Sequence, residues 1–234
     1  MPEHPEQDLL VISPHLDDAA LSCAGAIWRA PRAAVVTIFA GTPRDTAMQT
    51  DWDARSGFAS AGAAMLARRA EDVAALKILA AKPMQLDFLD SQYGDTPTAD
   101  AVAAALEDAV REFAPNTVLL PAGLFHSDHV IAHEAALLVR KRLPELDWRM
   151  YEEAHYRRIA GFLQRRLARL IDIGVQATPL PSRPDADAAP VKEAAIACYA
   201  SQLRALAARL RDGHADAFAP ECFWRLEDLP AQGT

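Results

Sequence analysis

Two short clusters of side chains able to bind a cation stand out in this chain. The first, Ser13-Pro14-His15-Leu16-Asp17-Asp18, follows the apolar run Leu9-Leu10-Val11-Ile12; the second, His126-Ser127-Asp128-His129, comes just after Val118-Leu119-Leu120. A strand-to-helix turn at the C-terminal end of a strand is where an open α/β sheet presents its chemistry. The two clusters can meet only if their strands are neighbours in one sheet.

His15, Asp18 and His129 supply the three-ligand set of a catalytic zinc site, which leaves a fourth position for water. Other divalent metals accept the same donors. A metal lowers the pKa of bound water toward ~7, and a neighbouring carboxylate that takes its proton yields a nucleophile. Asp17 is the candidate general base. Attack on an amide carbonyl builds negative charge on oxygen, and a protonated His126 is the candidate donor to it. Asp128 could hold that imidazole in its charged form or orient a metal ligand from behind. Each residue alone is explained as well by a helix cap or a polar surface; jointly they point to metal-assisted hydrolysis. His133, one helical turn past His129, is read as structural. His155 lies outside both clusters and receives no role. Ser22 and Ser201 lack a nucleophile-elbow pattern, which disfavours serine hydrolysis.

The elements that must position these groups follow from periodicity. Residues 8–13 form a nearly continuous apolar run, as in a strand buried on both faces of a parallel sheet. A helix follows from residue 19, with Asp17 or Asp18 expected as its cap. Residues 33–40 give the second strand, completing a right-handed βαβ unit. Residues 41–57 read as a long loop, and 59–80 as a helix with Arg68, Arg69, Glu71 and Asp72 on its polar side. Further strands are expected over 84–89, 116–121 and 149–152, and an added edge strand within 174–184. The turn at 90–94 sets Asp90 and Tyr93 beside a substrate path. Further helices are expected over 98–113, from the second cluster to residue 142, over 156–171, and as one long segment over 191–210, before an irregular tail. The fold class is therefore α/β, a mostly parallel sheet of about five or six strands flanked by helices.

The 234 residues are 51% hydrophobic, enough for the core of a single domain spanning 1–234. A formal net charge of −8 argues against a general grip on nucleic acid. Residues 140–169 are locally basic, which suits a solvated helix face or an anionic substrate. Cys23, Cys198 and Cys222 are too few and scattered for a disulfide framework. No run reaches the ~18 apolar residues of a membrane span, and Met1 to Glu6 carry no secretory pattern. A cytoplasmic protein acting on a small molecule or glycoconjugate is expected; an oligomer is left open.

Around these residues the chain resembles the PIG-L/LmbE-like family of zinc-dependent N-deacetylases, whose first motif is usually Ala/Ser-His-Pro-Asp-Asp-Glu and whose second is His-x-Asp-His. Here they stand as Pro14-His15-Leu16-Asp17-Asp18-Ala19 and His126-Ser127-Asp128-His129. Arg68-x-x-Glu71, the 86–93 segment, Tyr151-Glu152-Glu153 and Lys192 through Gln202 also look like family positions. The resemblance implies a Rossmann-like sheet and removal of an N-acetyl group from a glucosamine-type sugar. It implies zinc on His15, Asp18 and His129, Asp17 as base and His126 as oxyanion stabiliser, with Arg68 a candidate substrate contact and Asp90 scaffold. Leu16 and Ala19 depart from the first motif. Leu124 and Phe125 bring an apolar pair to the approach to His126, suiting a more hydrophobic acyl group or aglycone. The family also includes members that hydrate a small unsaturated carboxylic acid; that reaction, or metal binding without catalysis, is the alternative.

Overall fold

The computed structural model describes residues 8–182, 184–207 and 215–230. In chain order the elements are β1 (Leu9–Ser13), α1 (Asp18–Arg29), β2 (Ala33–Thr37), α2 (Asp51–Ser56), α3 (Ala61–Ile78), β3 (Ala81–Gln85), α4 (Ala99–Phe113), β4 (Thr117–Pro121), α5 (Ser127–Arg142), β5 (Asp147–Tyr151), α6 (Phe162–Asp172), β6 (Val175–Pro179), α7 (Ala189–Ala197), α8 (Ala200–Ala207) and β7 (Phe223–Asp228). The strands form one Rossmann-like sheet in the order β3-β2-β1-β4-β5-β7-β6.

β1 lies between β2 and β4 and pairs in parallel with both, so the turns after β1 and β4 open at the same sheet edge. Alternation along β1 sends Leu10 and Ile12 to one face, into the same core as Leu106 and Val110 of α4 and Ala132 and Ala136 of α5. Leu9 and Val11 point to the other face, against Ala20 and Cys23 of α1, Ala75 and Leu76 of α3, and Ala195 of α7. Helices on both faces explain why all five β1 residues are buried and why the run is apolar throughout.

The sheet has seven strands rather than five or six. The difference lies at the C-terminal end, where β7 inserts antiparallel between β5 and β6 in a tail expected to be irregular. Its sequence, Phe-Trp-Arg-Leu-Glu-Asp, mixes apolar and charged residues because only part of it is covered. β6 is the edge strand expected in the 174–184 stretch. β3 begins three residues before the expected start, and the expected loop at 41–57 contains α2, opened by a Thr50/Asp53 capping box. The long helix expected over 191–210 is instead α7 and α8, interrupted at Cys198 and Tyr199; residues 208–210 lie outside the described residues. α6 starts at Phe162, after a series of turns rather than at 156.

On α3, Arg68 and Asp72 do not lie on an exposed polar side: they are 3% and 2% exposed, while Leu66 is 75% exposed. The inversion arises because Arg68 pairs inward with Asp53 of α2, and Asp72 accepts from Tyr199 and Gln85. No helix among the described residues is long and apolar enough to cross a membrane.

Candidate active site

His15 sits in the turn between β1 and α1. Ser13 shapes this turn: its Oγ donates to the His15 carbonyl and accepts from Ala19 N–H, doing the capping expected of an aspartate. Asp17 occupies the N-cap position without a side-chain capping bond, and Asp18 turns back to accept from His15 N–H at 2.9 Å. Both carboxylates are thereby kept for the cavity side of the turn.

Asp18 Oδ2 lies 3.4 Å from His15 Nδ1 and 3.2 Å from His129 Nε2. The far nitrogen of each ring faces another carboxylate: His15 Nε2 is 3.0 Å from Asp128 Oδ2, and His129 Nδ1 is 3.2 Å from Glu153 Oε1. A histidine whose outer nitrogen donates to a carboxylate has its inner lone pair free for a cation, and its ring angle fixed. Ligand atoms of His15, Asp18 and His129 all lie within 4.8 Å of one another. With one anionic oxygen and two imidazoles, one half-buried and one buried, this donor set suits a divalent metal.

The electrostatics agree with that arrangement. Burial opposes a charge on His129, but Asp18 and Glu153 outweigh it and lift the imidazole to about 9. Burial likewise opposes charge on Asp18, and the His129 and His15 rings overcome it, holding the carboxyl well below its usual range. Asp128 also resists burial and is drawn down to about 2 by its bond to His15. Asp17 behaves oppositely: burial and the neighbouring Asp18 charge raise it to about 7.

His126 N-caps α5. Its Nδ1 accepts from the Asp128 backbone N–H at 3.3 Å, which leaves Nε2 to carry the proton. Burial, then the positive His15 ring, push its pKa down. The bond at Nδ1 and the downward shift both favour the neutral imidazole, with Nε2–H turned to donate, over the charged one. Asp128 serves His15 and receives Ser91 N–H at 3.0 Å; it is 3.9 Å from His126 Nδ1.

These groups floor a cavity of about 920 Å³ that is also lined by Trp52, Arg55, Asp90, Phe125 and Tyr156. Arg68 reaches its wall, with its guanidinium donating to Tyr93, Asp53 and Ser56. Tyr93 is buried in that same network and does not line the cavity. Asp90 lies 4.0 Å from His15 Nε2 and is held by Gln92. His133 stands apart from the cluster: buried, it donates through Nδ1 to the Pro121 carbonyl, and desolvation takes it down to about 3. His155 lines the cavity. Leu124 is buried, so of the apolar pair only Phe125 reaches it.

Glu153 stands in the Tyr151-Glu152-Glu153 stretch that resembles the family, and the structure adds its contacts. Besides His129, its Oε1 accepts from Gly123 and Leu124 N–H, so one buried carboxylate orients a candidate ligand and pins the loop before the second cluster. Its place in the fold accounts for this reach: Glu153 follows β5, the strand beside β4.

Residues 10–139 match the family model for PIG-L, GlcNAc-PI de-N-acetylase, and the chain belongs to that family. A 2'-N-acetylparomamine deacetylase of Streptomyces fradiae is 30% identical over 146 residues, covering 54% of this chain and 50% of the relative, so the match spans about half the length of that protein. Among solved structures, a triple mutant of a deacetylase of the teicoplanin biosynthetic pathway is 25% identical with a TM-score of 0.80, covering 97% of this chain and 100% of that one. The A40926 pseudoaglycone deacetylase is 27% identical with a TM-score of 0.78 over the same shares.

Proposed function

We propose that the protein is a zinc-dependent N-deacetylase, a single-domain hydrolase that removes an acetyl or other acyl group from the nitrogen of an amino sugar or glycoconjugate. The observation that carries this reading is the convergence of His15, Asp18 and His129, with Asp128 and Glu153 behind the two rings. Family membership and the deacetylases it is similar to support the same reaction class.

Zinc held by His15, Asp18 and His129 would supply Lewis acidity and make water acidic enough to ionise near neutrality. The chain's own groups do the rest. Asp17 takes a proton from the attacking water and passes it to the departing amine. His126 Nε2–H donates to the carbonyl oxygen as charge builds there, a contact whose loss typically costs ~2.7–4 kcal/mol of barrier. Asp128 and Glu153 hold the two imidazoles in register, so that little reorganisation is needed during the reaction. The turn at residues 13–18 leaves Asp17 without a capping bond, so its carboxylate is available next to Asp18.

The test is metal analysis of the purified protein followed by mass spectrometry of N-acetylated sugars incubated with it. Stoichiometric metal and loss of an acetyl group, with acetate and a primary amine released, is the expected result. A product gaining water without freeing an amine would point instead to hydration.

A further inference from the structure

A row of aromatic rings leads outward from the cluster. Tyr156 packs edge-on to His129 with centroids 5.1 Å apart, Phe125 lies 5.4 Å from Tyr156, and Phe162 lies 5.6 Å from Phe125. Tyr156 and Phe125 line the cavity, together with Ile159. Phe125 is 54% exposed despite two ring contacts, and its backbone is in the left-handed region at φ +62°. That conformation is uncommon for a bulky side chain and costs on the order of 1 kcal/mol. The sequence thus keeps a large apolar ring in water, on an unfavourable backbone, one residue before His126. Strained residues of this kind cluster at ligand sites. The cavity, at about 920 Å³, falls at the upper end of the ~300–1,000 Å³ of small-molecule sites, beyond the needs of one amino sugar.

We propose that Phe125 is a specificity-determining residue, and that the Phe125–Tyr156 platform takes an apolar group attached to the amino sugar. Such a group could extend from the nitrogen as a long acyl chain or from the anomeric oxygen as an alkyl or aryl aglycone. Either would lie along the ring row with its reacting amide near His126. Burying it would remove the exposed Phe125 face from water, at roughly 25 cal/mol per Å² of apolar surface. The kinetic part of this inference rests on the deacetylase reading; the binding part does not.

The experiment compares kcat/KM for N-acetylglucosamine, N-octanoylglucosamine and octyl N-acetylglucosaminide in the wild type, Phe125→Asn and Phe125→Tyr. Asparagine tolerates the left-handed backbone and removes the ring. At least one octyl compound should be preferred tenfold or more over the plain sugar, with the preference falling at least tenfold in F125N and returning in F125Y. Which compound is preferred separates the acyl arm from the aglycone arm. Calorimetric titration with octyl glucoside, which has no acyl group to lose, should show binding at least tenfold weaker in F125N. If the plain sugar is turned over and no octyl preference exists, or the preference survives F125N, the platform is overturned and the deacetylase reading stands. If no sugar is hydrolysed, the deacetylase reading falls and the titration decides: weaker binding to F125N upholds the platform, and equal binding to both proteins overturns it.

Discussion

Asp128 Oδ2 lies 3.0 Å from His15 Nε2, across 113 residues of sequence. The carboxylate of the second cluster thus serves the histidine of the first, and neither cluster is complete without the other. Asp128→Asn removes the charge while keeping the side-chain size. We expect metal affinity to fall ~10–100-fold, as for the loss of other carboxylates that orient metal-bound histidines. Competition with a chelator of known affinity measures it; unchanged affinity would show that the contact is incidental.

Asp17→Asn should leave metal binding within a few-fold of wild type and lower kcat by ~10²–10⁴, the usual contribution of a general base. Metal stoichiometry and turnover are measured on the same preparation. Loss of metal in this variant would mean that Asp17 is a ligand and that the two aspartates have been assigned in the wrong order.

Arg68 is tied to Asp53 at 2.9 Å and to Tyr93 at 3.0 Å, with both ion-pair partners buried. Removing one member of a buried pair strands the other charge, at a cost of ~3–5 kcal/mol. Arg68→Met is predicted to lower stability by about that amount in urea titrations. If it instead raises KM with stability intact, Arg68 is a substrate contact and not an anchor for α2.

Burial raises Asp72 to about 6, against the opposing pull of its bonds from Gln85 and Tyr199. Between roughly pH 4 and 6 the native chain therefore binds more protons at this position than the unfolded chain does. The stability this carboxyl contributes is full below pH 4 and is lost as pH rises through 6, a change of roughly 3 kcal/mol. Asp72→Asn lacks this dependence, so its stability relative to wild type should rise between pH 4 and 7. A constant difference across that range would show that Asp72 does not titrate there.

How much of this was visible beforehand depended on what each residue answers to. The apolar run before His15 and the run before His126 announced β1 and β4, because burial on both faces leaves an unbroken apolar signature. Their adjacency followed from nothing local; it was required by the chemistry and is met in the sheet. β7 was missed because a partly covered strand ending in Glu227 and Asp228 has no such signature. Arg68 and Asp72 misled for a related reason: charge normally marks the wet side of a helix, and here partners from distant segments compensate for burial. The Asp128 N–H bond to His126 Nδ1 and the burial that lowers its pKa are features no residue pattern reports.

The antiparallel insertion of β7 has a consequence for how the chain is made. β5 pairs on one side with β4 and on the other with β7, and β6 has β7 as its partner in the sheet. Until residues 223–228 have left the ribosome, both strands present open backbone edges to the surrounding solution. Such edges invite pairing with other chains. A product ending before Phe223 should therefore self-associate, although every residue of the two clusters has already been synthesised.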